Sequence, residues 1–157
     1  MPELRPYRRV LALIDFDDLD GLTAEKALLL ARLNGAQLDF LHLIAPDGHL
    51  DGGYPNGNPQ NTARSLEAAS LRRLDYLAAR LGAGEATCHA LHGPLRQSFQ
   101  KHVEARQPDL VVTGRPRPYL SGTHDVLILS AAQPHGRGKL LAWLMRLFNS
   151  QPYAAGV

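Results

Sequence analysis

The sequence predicts an α/β protein built on an open, doubly wound parallel sheet. Three observations lead there. Short, mainly apolar runs of strand length recur at 10–14, 38–44 and 110–113, the first of them continuous, a pattern that suits strands buried on both faces. Between them the apolar period lengthens to that of amphipathic helices. The two kinds of segment alternate along the chain, and that alternation places helices on both faces of a parallel sheet.

The first strand is Val10-Leu11-Ala12-Leu13-Ile14, and it stops at an acidic cluster, Asp15, Asp17, Asp18 and Asp20. From Leu22 the period is helical, with Leu22, Leu29, Leu30 and Leu33 on one face and Ala27 beside them. Asn34-Gly35 supplies the left-handed stop common at helix C-termini. The strand 38–44 completes a β-α-β unit, whose crossover is expected to be right-handed. Residues 46–61 are dense in Gly, Pro and Asn and carry His49 and Tyr54; we read them as a long solvated connector.

Thr62 is placed to cap the next helix, whose apolar side is Leu66, Ala69, Leu74, Leu77, Ala78 and Leu81. Gly82 and Gly84 end it. Residues 85–91 alternate weakly, as an edge strand does. Pro94 suits the first turn of a third helix, with Leu95, Phe99 and Val103 facing inward. The fourth strand, 110–113, and a last apolar strand, 125–129, complete the sheet.

Composition narrows the function. A chain of 157 residues fits one domain, expected at 1–133, with a hinge and an added C-terminal helix over 134–157. A net charge of +2 gives no electrostatic case for nucleic acid. One cysteine, Cys88, excludes an internal disulfide. Asp15 and Asp17 interrupt any leader-like apolar start, and no apolar run reaches membrane-spanning length, so a cytoplasmic protein is expected.

The strand ending at Asp15, the segment Leu33-Asn34-Gly35-Ala36-Gln37-Leu38, and Leu41-His42-Leu43 together resemble the opening of universal stress proteins. Gly93-Pro94, the run Pro108-Asp109-Leu110-Val111-Val112-Thr113-Gly114 and the strand from Asp125 extend the likeness over roughly residues 8–129. The resemblance implies a Rossmann-like sheet of order 3-2-1-4-5. Order reverses between strands one and four, so their C-terminal ends define a binding crevice, where Asp15 and Gly114 fall.

In nucleotide-binding members of that family, a Gly-x-x-Gly loop and a later Gly-Ser or Gly-Thr pair at a helix start face the phosphates. Gly114 matches the first glycine here, but Arg117 stands at the second, and Pro116 and Pro118 remove two N–H donors. Gly122-Thr123 resembles the later pair, about five residues early, and the eleven residues 114–124 leave no room for a fourth helix. Two readings of the loop stay open. Arg115 and Arg117 grip an anion with side-chain charge, or the loop is degenerate and they are solvated. Asp15, Gly114, Arg115, Arg117, Gly122 and Thr123 are therefore the candidate nucleotide residues, with ATP or AMP as the ligand if one binds.

Other chemistry is sparse. His89-x-x-His92 and His42 lack recognisable third and fourth ligands, so no metal site is assigned. Cys88 reads as a buried, inert thiol. Val126, Leu127, Ile128 and Leu129 form an apolar edge strand, the segment through which the resemblance implies homodimerisation. In the tail, Leu140, Trp143, Leu144, Leu147 and Phe148 need covering, by the domain itself, a protein partner or a membrane surface. Three functions follow: a stress-response module acting by binding and dimerisation; an adenine-nucleotide sensor with weak ATPase activity; or a peripheral module recruited by its tail.

Overall fold

The computed structural model describes residues 3–46 and 59–130. Most of the long connector and all of the apolar tail, including the expected C-terminal helix, lie outside the described residues. Five strands, β1 (Arg9–Leu13), β2 (Gln37–Ile44), β3 (Thr87–His92), β4 (Leu110–Thr113) and β5 (Asp125–Ile128), form one sheet. All pairings are parallel and the order is β3-β2-β1-β4-β5, as expected.

Strand side chains alternate between faces, and the two cores follow from that alternation. Val10, Ala12 and Ile14 point to the face covered by α1 (Asp20–Asn34) and α2 (Pro59–Arg80). Leu11 and Leu13 point to the other, where Phe99 of α3 (Leu95–Arg106) meets them. Because β1 lies between β2 and β4, it has no solvent face. That is why its sequence is apolar without alternation.

Helix α1 corrects the expected leucine stripe. Its sheet-facing residues are Ala24, Ala27, Leu28 and Ala31, while Leu33 is 68% exposed. Small side chains let the helix axis come close to the flat, fully buried centre of the sheet. The longer leucines are displaced to its flanks. Gly35, at φ 63°, ends the helix with its N–H directed to the carbonyls of Ala31 and Arg32, as the sequence suggests. Helix α2 starts one turn before Thr62, which is buried inside it.

Residues 114–124 contain no helix. The chain instead turns Tyr119 and Leu120 inward against Phe99, with the Tyr119 and Phe99 rings 5.4 Å apart. The sheet beside β4 is therefore covered in part by this loop. Val126 and Ile128 remain half-buried at the edge, whereas Leu129 is buried. Among the described residues, no helix is long and apolar enough to cross a membrane.

Candidate functional site

The crevice lies where β1 and β4 end and diverge into their loops. After Ile14 the chain enters a tight acidic turn. The backbone N–H of Asp15 donates to Asp20 Oδ1 at 3.1 Å, and that of Leu19 donates to Asp17 Oδ1 at 2.8 Å. These short-range bonds are what Asp offers a turn. They spread the carboxylates of Asp15, Asp17 and Asp18 along one lip. Burial raises the pKa of Asp20, against backbone hydrogen bonds that lower it.

The opposite lip is the loop after β4, and its arginines reach across. Arg117 Nη2 donates to Asp15 Oδ2 at 3.0 Å. Arg115 donates through Nε to Asp17 Oδ2 at 3.1 Å and through Nη2 to Asp18 Oδ1 at 2.9 Å. Both arginines pair with carboxylates of their own chain, and Arg115 stays 44% exposed while doing so. Both guanidinium pKa values are raised, chiefly by the hydrogen bonds to those aspartates.

The glycines are present for packing. A Cβ on Gly114 would stand 2.8 Å from Leu19 Cβ and 3.2 Å from Thr23 Oγ1. The start of α1 is thus pressed onto the loop backbone. A Cβ on Gly122 would meet the His124 ring at 2.6 Å. That imidazole is buried, 2.6 Å from the Leu120 carbonyl through Nε2 and edge-on to Phe99. Gly122 and the exposed Thr123 therefore serve the inward plug and begin no helix. Asp15, Gly114, Arg115 and Arg117 come together at the crevice.

Two neighbours of the crevice, Phe16 and Arg73, were not singled out from sequence. Phe16, a non-glycine residue at φ 59°, stacks on His42 with ring centroids 3.9 Å apart. Arg73 of α2 covers the other side of that ring at 3.9 Å. His42 Nδ1 lies 2.7 Å from the Ile14 carbonyl, and burial lowers its pKa. The flat surface beside Asp15 is thus covered by the chain's own aromatic stack. A left-handed aromatic residue after a strand is the kind of strained position that clusters at functional sites, but a one-dimensional pattern gives no sign of it.

The histidines sort differently from their spacing. His42 faces α1 and α2, whereas its expected companion His89 lies on the α3 face, near His102. Cys88 is half-buried, and burial, followed by a hydrogen bond with Asp75, pushes its thiol up to about 12. It is inert toward thiolate chemistry near neutral pH.

Comparison with known proteins agrees with this geometry. No curated protein sequence matches the chain closely enough to count as a relative. Solved structures do. A universal stress protein in complex with cAMP superposes with TM-score 0.53 at 18% identity, covering 78% of this chain and 97% of that one. The universal stress protein UspA of Lactobacillus plantarum gives 0.53 at 15% identity, over 80% and 99%. A protein of the same family from Burkholderia pseudomallei gives 0.54 at 17% identity, over 78% and 95%. These likenesses establish the fold. The model of the Universal stress protein family matches residues 6–133, most of the chain, and the protein therefore belongs to that family.

Proposed function

We propose that this chain is a cytoplasmic stress-response module acting by binding and self-association, its nucleotide crevice held closed by its own side chains. The observation that carries this reading is the pair of arginines spanning the crevice. Arg117 occupies Asp15, and Arg115 occupies Asp17 and Asp18. Leu19 lies against Gly114, and Phe16 stacks on His42. One relative of this fold was solved with cAMP, so a nucleotide is the class of ligand such a crevice would admit when open. Here it would have to displace ion pairs and an aromatic stack before gaining any contact.

Calorimetric titration of the full chain with ATP and with AMP tests the reading. The expected result is no saturation in the micromolar range. Arg117→Gly, which frees Asp15 and restores the second loop glycine, should strengthen whatever binding exists. Micromolar affinity in the unaltered protein, abolished by Asp15→Ala, would instead establish an adenine-nucleotide sensor, and ATP hydrolysis would then be assayed. Association is assigned to β5, whose outer edge carries the unpaired backbone groups that another chain can extend.

A further inference from the structure

Away from the crevice, toward the N-terminal ends of β2 and β3, the α3 face of the sheet carries a second cluster of ionisable groups. Asp39 is the third residue of β2 and His89 the third of β3. Register pairs Leu41 with His89 and Asp39 with Thr87, so Asp39 and His89 are diagonal neighbours on one face. His102 comes down onto them from α3, one turn beyond Phe99. We propose that Asp39, His89 and His102 form a binding site for one divalent first-row transition-metal ion, separate from the crevice.

The geometry carries this. One ligand atom from each of the three residues lies within 4.8 Å of the others. His89 Nε2 is 3.7 Å from Asp39 Oδ1. Around a tetrahedral ion with bonds near 2.1 Å, donor atoms stand roughly 3.4 Å apart. The His89–Asp39 edge is close to that already, and the widest edge must close by at most about 1.4 Å. Rotation of an imidazole about its broad outer torsion supplies such a movement.

Two of the donor atoms make no hydrogen bond. Nε2 of His89 and Nε2 of His102 are both buried without a hydrogen bond, and His102 is only 4% exposed. Buried polar atoms are satisfied in the great majority of cases, and one ion between these two would satisfy both.

Asp39 completes the set as a carboxylate. Arg106 donates Nε to Oδ2 at 3.0 Å and Nη2 to Oδ1 at 3.1 Å. This fork leaves a lone pair on each oxygen and orients the carboxylate, as outer partners of metal ligands do. Two imidazoles and one carboxylate suit zinc and its first-row neighbours. On its outer side Asp39 also lines a depression with Arg9, Gln37, Glu85, Thr87 and Arg106.

Cobalt(II) is the probe, because a low-coordinate site gives it visible absorption. Titration of the full chain should show saturable uptake of one Co²⁺ per chain, displaced by Zn²⁺. His89→Gln and His102→Gln should each weaken uptake at least about tenfold, since even outer-shell partners are worth that much. His92→Gln should leave it unchanged. Should a variant lose its folded circular dichroism signal, nitrogen-15 spectra of the histidine rings in the unaltered protein decide: Zn²⁺ must shift Nε2 of His89 and His102. No saturable Co²⁺ uptake, uptake retained in both glutamine variants, or ring shifts confined to other histidines overturns the assignment.

Discussion

Gly114 ends the most buried strand pair of the molecule and touches the start of α1. Its role is tested against a glycine of the same neighbourhood that touches nothing. A methyl at Gly114 would stand 2.8 Å from Leu19 Cβ and 3.1 Å from Leu19 Cδ1, whereas a Cβ at Gly21 meets no atom within 4 Å. Overpacking of a well-packed contact costs roughly 1–3 kcal/mol. Gly→Ala in a helix instead gains up to about 1 kcal/mol. Urea unfolding should therefore show Gly114→Ala destabilised by about 1–3 kcal/mol, and Gly21→Ala unchanged or stabilised. Equal effects at the two positions would mean that Leu19 does not seal the loop. The arginine latch belongs to this scale too. Arg115 is 44% exposed and its partner Asp18 74%, so added salt should loosen that pair before it affects the less exposed Arg117–Asp15 pair.

At the scale of elements, the decisive feature is a parallel β4–β5 pair joined without a helix. Parallel neighbours usually need a helical crossover, and here the loop meets that need by folding Tyr119, Leu120 and His124 onto Phe99. The consequence is a thinly covered edge: Val126, Leu127 and Ile128 are all half-buried. Leu129, read from sequence as part of an interface, is 5% exposed and offers its side chain to no partner. Lysine at both Val126 and Ile128 should convert a dimer into a soluble monomer, measured as mass under native conditions. An unchanged dimer mass would place the interface on another element.

The whole molecule has an acid-sensitive balance set by buried imidazole. His42 is lowered below the ordinary histidine value because burial disfavours its charged form. Unfolding releases that ring into water, where it takes up a proton more readily. The unfolded state then binds more protons, so stability falls as pH drops. His42's contribution is complete above the unfolded value of about 6.5 and declines below it. His102 acts in the same direction. Urea midpoints measured from about pH 7.5 down to about pH 5 should decrease, and His42→Gln should make the decline shallower without removing it. Parallel profiles for the two proteins would show that His42 does not stay neutral in the folded state.

Sequence alone determined the kind of sheet, because burial on both faces leaves an apolar run with no alternation, as in Val10–Ile14 and Leu110–Thr113. It also located the crevice through the resemblance, since strand order places Asp15 and Gly114 together whatever side chains surround them. It misjudged the inner face of α1, where leucine content suggested burial but closeness to the sheet selected alanine. What fills the crevice was decided only by the tertiary structure. Arg115 and Arg117 are separated from Asp15, Asp17 and Asp18 by about a hundred residues, and no local spacing tells a cation whether its partner is a phosphate or a carboxylate of its own chain. Asp39, His89 and His102 were hidden for the same reason. Their order along the chain has no ligand spacing, and they meet only because one strand register and one turn of α3 bring them to the same face.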